Sequence, residues 1–340
     1  MTSIFKNRLF WPAAILVVLL VVNMFTSRQF VTIQDGHLFG TLIDILRNSA
    51  PLILVGLGMT LVISTGGIDL SVGSVMAISA AVACLLIQEL DDQNSVGSVL
   101  LIIAIAIAVS MLMGLWNGAL VAIIGIQPII ATLILMVAGR GIAQLITDGQ
   151  IINVQSGPYA TIASGFFVAL PVALLIAVAA TVLILLLTRR TALGLLLESV
   201  GGSPTASRLA GIGARRITIM VYVVAGGLAG LAGLIYSANI KSADSISAGN
   251  LIELDAILAV VIGGTALVGG RFSIAGTVLG AVLIQTLAVT VVAVGIPSEA
   301  NLLFKAVVVV ALCLFQSPTL REKVFGRLTP SSAARAEVPA

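Results

Sequence analysis

The sequence predicts an all-α, polytopic membrane protein, and three observations carry that prediction. Apolar residues make up 59% of the 340-residue chain and charged residues only 9%, against about 45–50% and about 25% in soluble domains. Apolar runs near the ~20 residues that cross a bilayer recur along the whole chain. The 17 basic residues are unevenly placed: Arg28, Arg47 and Lys241 fall on one side of the predicted spans, Arg140 and Lys305 within spans, and all the others on the opposite side. A soluble enzyme, a secreted domain and a disordered chain are thereby excluded. A net charge of +3 is too mild for nucleic-acid binding.

The spans follow in order at 10–27, 50–66, 72–88, 97–124, 129–147, 166–188, 217–239, 251–268, 274–294 and 302–317, about ten in all. The basic bias then puts both termini in the cytoplasm. Lys6 and Arg8 ahead of the first apolar run resemble a signal peptide. No small-x-small site follows in Met24-Phe25-Thr26-Ser27-Arg28, so the run is expected to stay as an uncleaved helix. An outside loop, 28–50, carries Asp35, His37, Asp44 and Arg47. Glycine clusters at Gly66, Gly67 and Gly73 and at Gly263, Gly264, Gly269 and Gly270 mark helix breaks or close packing. Leu61–Gly73 and Val260–Gly270 carry them in similar order, which suggests two related halves. Asp69 and Ser71 read either as caps of the following helix or as part of an ion or proton site. Glu253 and Asp255 suit a helix first turn, and Lys305 lies near a span end where it can snorkel. The longest connection on the basic side, about 188–216, holds two short helix-like runs, Ala192–Val200 and Pro204–Ala210, the latter stopped by Gly211. The chain to residue 328 thus reads as one transmembrane domain, and 329–340 as a disordered cytoplasmic tail.

Chemistry is conspicuous by its absence. Cys84 and Cys313 sit in apolar runs and read as core fillers, and His37 is the single histidine, too few for a His-based metal site. None of the four lysines follows a glycine, so no phosphate-binding G-x-x-x-x-G-K-[ST] loop exists and the chain does not hydrolyse ATP by itself. G-x-S-x-G and H-E-x-x-H are missing too. Polar residues inside spans are costly and are functional candidates: Asp69, Asn117, Gln127, Thr132, Arg140, Gln144, Asn239, Asp255, Gln285 and Lys305. Asn117, Gln127, Thr132, Arg140 and Gln144 are the candidates for a translocation path. Thr132, Arg140 and Gln144 share one helix stripe, which serves lining or packing equally well.

Three segments are distinctive together: GMTLVISTGGIDLSVGSVMA (58–77), IQPIIATLILMVAGRGIAQLIT (126–147) and ELDAILAVVIGGTALVGG (253–270). With them the chain, from about 10 to 320, resembles the permease subunit of bacterial ABC-type sugar importers of the ribose/galactose/arabinose class. QDGHLFGTLIDIL (34–46) is similar to the galactofuranose-importer branch. The resemblance implies an inner-membrane subunit paired with a second permease chain, as a homodimer or a paralogous heterodimer. It also implies two ATPase subunits that bind the ATP, a periplasmic sugar-binding protein, and no cofactor in this chain. Loop 188–216 would be the coupling loop, in which Glu198, Gly201, Ala206, Gly211 and Ile212 match the family pattern while Ser199, Ser203 and Ser207 depart from it. Leu193, Leu196, Leu197 and Val200 offer apolar anchors at helical spacing for a partner's groove. Two other expectations stand beside this one. One is an ABC permease for another small polar solute, such as a branched-chain amino acid or nucleoside. The other is an ion-coupled carrier using Asp69, Arg140 and Asp255.

Overall fold

Within a bilayer every backbone polar group must be paired inside the protein, and a helix does this within one segment. The structure, a computed structural model, describes residues 9–297 apart from 28 and 35, and then 300, 303–308 and 310. The helices are α1 (Phe10–Thr26), α2 (Thr41–Ser64), α3 (Val72–Gln88), α4 (Val96–Ala119), α5 (Pro128–Ile146), α6 (Gly157–Ser164), α7 (Val172–Arg190), α8 (Leu193–Gly202), α9 (Pro204–Leu209), α10 (Ala214–Ile240), α11 (Ile252–Ile262) and α12 (Ile274–Ala293). A π-helical turn, Leu120–Ile124, extends α4. Among the described residues six helices are long and apolar enough to cross a membrane: α2, α4 with its extension, α5, α7, α10 and α12. α1 and α3 are shorter apolar helices.

α2 and α10 form the centre and pack on each other. α10 also packs on α3 and α4, whereas α2 packs on α11 and α12. Each central helix is thus held by the helix pair that follows the other one. α5 packs on α3, α7 on α2, and α1 on α12. Small residues permit the close crossings, as in membrane bundles generally. A Cβ added at Gly58 would lie 3.0 Å from Ala225 Cα, and one at Gly233 would lie 2.9 Å from Met76 Cα. Several polar groups in this core pair across helices. Thr60 and Thr277 hydroxyls are 2.6 Å apart, as are those of Tyr159 and Ser237, and Asn23 Nδ2 donates to Thr290 Oγ1 at 2.6 Å. Cys84 is fully buried.

Three two-residue to three-residue hairpins or ladders gather at one end of the bundle: β1 (Thr32–Gln34) with β2 (His37–Phe39), β3 (Ile152–Asn153) with β6 (Ser242–Ala243), and β4 (Phe166–Phe167) with β5 (Leu170–Pro171). The opposite end carries α8, α9, the turn after α2 and the segment 263–273.

The structure moves several boundaries. The expected outside loop 28–50 ends at Gly40, whose φ of 119° turns the chain into α2. Asp44 and Arg47 therefore lie on the first turns of α2, paired at 3.1 Å; their polarity hides two helical turns from a hydropathy window. His37 is fixed in β2, its Nδ1 3.1 Å from Val168 O and its ring stacked on Phe166. The expected span at 166 begins instead with the β4–β5 hairpin, and its helix starts after Pro171. The span expected over 251–268 is helical only to Ile262, because Gly263 and Gly264 break it. α6, capped by Ser156 accepting from Tyr159 N–H at 3.3 Å, was not anticipated. Lys305 does not snorkel: its Nζ donates to Asp255 Oδ2 at 2.6 Å. Lys6, Arg8, Arg28, Asp35, Cys313, most of the last expected span and the 329–340 tail lie outside the described residues.

Candidate functional site

Loop 188–216 folds as its sequence suggests. Ala192 leads into α8, and Ser203 Oγ accepts from Ala206 N–H at 3.2 Å while Pro204 opens α9. Gly211, at φ 81°, ends α9, with Ile212 N–H returning to Ser207 O at 2.9 Å. The apolar stripe on α8 faces inward, however. Leu197 is 0% and Val200 2% exposed, and Leu193 and Leu196 are half-buried. The outward apolar side chains are Leu195, 70% exposed, and Leu209, 88% exposed, beside exposed Glu198 and Ala206.

α8 is seated by backbone. A Cβ at Gly201 would overlap Ser64 O and lie 2.5 Å from Gly270 N. Gly270 N–H donates to Ser64 O at 3.0 Å. A Cβ at Gly269 would lie 2.9 Å from Gly66 N and 3.0 Å from Gly201 O. Gly66, Gly269 and Gly270 all have positive φ, which side chains disfavour. The two similar glycine segments thus meet each other, and α8 rests on both. Gly263 in turn packs on the backbone of Gly276. At Gly201, α8 meets the end of α2 and the 263–273 segment backbone to backbone, with no side chain between.

One step deeper, the chain between α2 and α3 is held by a buried polar centre. Asp69 Oδ1 accepts from Ser71 N–H at 2.9 Å and Ser71 Oγ at 2.6 Å. Asn117 Nδ2 donates to Ser71 Oγ at 2.8 Å, and Thr132 Oγ1 accepts from Leu70 N–H at 3.1 Å. Asp69 is 2% exposed, and Asn117 and Thr132 are fully buried. Gly67 packs under the Tyr222 hydroxyl, which among the described residues has no hydrogen-bond partner, like Asn117 Oδ1. The Asp69 carboxylate closes the turn that leads into α3, whereas Ser71, the N-cap residue, makes no side-chain capping bond to that helix among the described residues.

Arg140 sits two turns further along α5. Its Nη1 donates to Ser245 O at 3.0 Å and Ala248 O at 2.6 Å, bracing the 241–251 segment. That segment dips inward far enough for Gly249 to touch Gly73, where Glu253 also packs. Asp244 starts the dip, accepting from the Ile246 and Ser247 N–H groups at 2.9 and 3.1 Å. Hydrogen bonds from Ser247, its hydroxyl foremost, hold the Asp244 carboxyl below the usual carboxylate range. Gln127, ahead of α5, and Gln144 are exposed. The structure therefore joins Asn117 and Thr132 to Asp69, sends Arg140 to the loop carbonyls, and leaves Gln127 and Gln144 apart.

A second polar grouping involves residues distant in sequence. Arg47, Asn48, Tyr236, Asn239, Asp255 and Gln285 line a cavity of about 370 Å³ at the hairpin end. The polarity of Asn239, Asp255 and Gln285 inside spans was a signal for each, but nothing local tied them to Arg47 and Asn48. Another cavity, about 450 Å³, opens at the α8–α9 end beside Thr65, Gly66, Arg208, Thr218 and Tyr222. Among the described residues no cluster of His, Cys, Asp and Glu could hold a metal ion.

Known proteins align with nearly the whole of this architecture. The chain is 47% identical over 320 residues to the galactofuranose transporter permease protein YtfT of Escherichia coli K12, covering 92% of each chain. It is 41% identical over 326 residues to the fructose import permease protein FruF of Bifidobacterium longum, covering 94% of this chain and 90% of the relative. It is 35% identical over 303 residues to the ribose import permease protein RbsC of Escherichia coli K12, covering 88% and 90%. No solved structure matches. The profile described as "Branched-chain amino acid transport system / permease component" covers residues 41–313, and the chain belongs to that permease family.

Proposed function

We propose that this chain is the transmembrane subunit of an ABC importer that carries a monosaccharide across a bacterial inner membrane. A periplasmic binding protein delivers the sugar, and separate ATPase subunits drive the step. The observation that carries the proposal is the seating of loop 188–216 on the backbone of Ser64, Gly269 and Gly270 in a chain that lacks a phosphate-binding loop. Such a chain needs an external source of work, and it has a stiff route by which a partner's motion reaches the membrane helices. In this reading α8 and α9 face the cytoplasm and dock on the ATPase through Leu195, Glu198, Ala206 and Leu209. Leu193, Leu196, Leu197, Val200 and Gly201 tie α8 to the permease itself, and Gly211 fixes the exit from α9. The chain crosses the membrane about ten times with both termini inside, and it pairs with a second permease chain, identical or paralogous.

The partner exchange of α2 and α10 supports two related halves of opposite orientation. The names of the galactofuranose, fructose and ribose relatives support a sugar as cargo. The family description favours one second reading, a branched-chain amino acid as cargo. The test is uptake into proteoliposomes holding the permease, its ATPase and its binding protein, with each omitted in turn. Sugar uptake that requires ATP and every partner is the expected result. Uptake by this chain alone on an ion gradient would overturn the reading and make Asp69, Arg140 and Asp255 coupling residues.

A further inference from the structure

Hairpin β4–β5 turns through two residues, Val168 and Ala169. In water such turns favour Asn-Gly, Asp-Gly or Gly-Gly, because the backbone takes positive φ there. Val168 takes φ 62°, a conformation costly for a β-branched residue. It is also 80% exposed, beside Phe167 at 68%. No polar side chain occurs from Phe166 through Ala180, so the apolar run passes through the turn and into α7 unbroken. The turn also stands at a definite level. α7 has 19 residues and carries Arg189 and Arg190 in its last turn. Its length of about 28 Å matches a hydrocarbon core of about 30 Å. With the arginines at one boundary, Val172 and the turn before it lie at the other. Exposed Val178, Val182 and Leu183 continue the apolar surface down α7.

A turn in contact with lipid has no water for its carbonyls and must find donors within the protein. Both carbonyls of this turn have one, and both donors come from hairpin β1–β2. Leu38 N–H donates to Ala169 O at 3.1 Å. His37 Nδ1 lies 3.1 Å from Val168 O; a carbonyl only accepts, so Nδ1 carries the proton. The His37 ring stacks on Phe166 with centroids 4.9 Å apart, and Phe39 lies 4.8 Å from the same ring. The chain's single histidine thus serves as a donor to the neighbouring hairpin. A turn in water needs neither donor. A protein partner would meet no charged or hydrogen-bonding side chain on Phe167, Val168 and Ala169, whereas protein interfaces carry about one hydrogen bond per 100–200 Å². Lipid asks for none.

We propose that the turn Phe167-Val168-Ala169 is a membrane anchor seated among phospholipid chains just beneath the headgroups, and that His37 is the positioning residue that lets it enter. The proposal requires α7 to cross the membrane and is independent of the cargo and of the energy source. The test uses the full chain in phosphatidylcholine vesicles. Trp11→Phe and Trp116→Phe remove the native indoles, and Phe167→Trp supplies the reporter. Lipid brominated near the carbonyl end of its chains should quench the emission strongly, and aqueous iodide only weakly. Stronger quenching by iodide than by the brominated lipid places the turn in water and overturns the anchor. Quenching by neither places it under protein and overturns the anchor as well. His37→Phe keeps the ring stack and removes the donor, so it should shift the quenching from brominated lipid towards iodide. An unchanged pattern in His37→Phe overturns the positioning role. Should the tryptophan-replaced chain not assemble, Val168→Cys in a chain carrying Cys84→Ala and Cys313→Ala takes a nitroxide label instead. Faster relaxation of that label by oxygen than by a water-soluble nickel chelate supports the anchor, and the reverse order overturns it.

Discussion

Gly201→Ala probes the junction beneath α8 with a single methyl group. That methyl would overlap the Ser64 carbonyl oxygen and lie 2.5 Å from Gly270 N, where ordinary contact begins at 3.4 Å. α8 must therefore retreat from the end of α2 and from Gly270 together. Neither neighbour is a flexible side chain; both are backbone, and they are joined by the 3.0 Å bond from Gly270 N–H to Ser64 O. Forcing a methyl into a packed junction costs about 1–3 kcal/mol, and disrupting that bond adds about 1 kcal/mol. A total of about 2–4 kcal/mol is large beside a stability of about 5–15 kcal/mol. It also shifts the seated position of α8 by more than about tenfold. Gly202 is the control, because a Cβ there meets nothing within 4 Å. The assay is ATP-driven uptake by the reconstituted importer together with the thermal midpoint of the purified permease. Gly201→Ala should lower both, and Gly202→Ala neither. Equal effects of the two substitutions, or uptake by Gly201→Ala within about twofold of the unsubstituted chain, would refute the reasoning.

Three further outcomes are expected. Leu197→Ala should cost about 2–5 kcal/mol of stability, as for any buried leucine, read as a lower thermal midpoint; Leu195→Asp and Leu209→Asp should leave the midpoint in place and lower ATP-driven uptake. Asp69→Leu removes the acceptor of two hydrogen bonds from Ser71 and should destabilise the purified permease by about 2–4 kcal/mol, whereas Asp69→Asn keeps an acceptor oxygen and should cost less. Arg140→Met releases the carbonyls of Ser245 and Ala248 and should speed amide hydrogen exchange across 244–251 by about tenfold or more, with exchange in α2 unchanged.

Much of this architecture is legible in the sequence because membrane solvation leaves few choices. The apolar runs at 72–88, 97–124, 129–147 and 274–294 correspond to helices within a few residues, since lipid rewards one solution for each. Ser203-Pro204 announced the start of α9 by local capping chemistry alone. Tertiary information is where the sequence falls silent. The stripe of Leu193, Leu196, Leu197 and Val200 has the same spacing whether it covers a partner or its own bundle, and here Leu197 and Val200 are buried within the chain. Thr132 shares a stripe with Arg140, yet one closes the turn before α3 and the other holds the loop before α11. Asp44, Arg47 and Asn48 looked like loop residues because polarity at the start of a helix lowers its hydropathy. The cavity at the hairpin end was hidden for a related reason: it joins the beginning of α2 to the middle of α12, and no spacing rule links them.

The central claim is that the α8–α9 surface receives the ATPase while the glycine junction beneath it carries the motion inward. Site-specific photocrosslinking tests it most directly. A photoreactive residue replaces Leu209, 88% exposed at the α8–α9 end, or Val168, 80% exposed at the hairpin end. The account predicts that position 209 crosslinks to the ATPase subunit in a nucleotide-dependent way, and that position 168 never does. Crosslinking of the ATPase to position 168, or none from position 209 in an importer that is actively transporting, would contradict it.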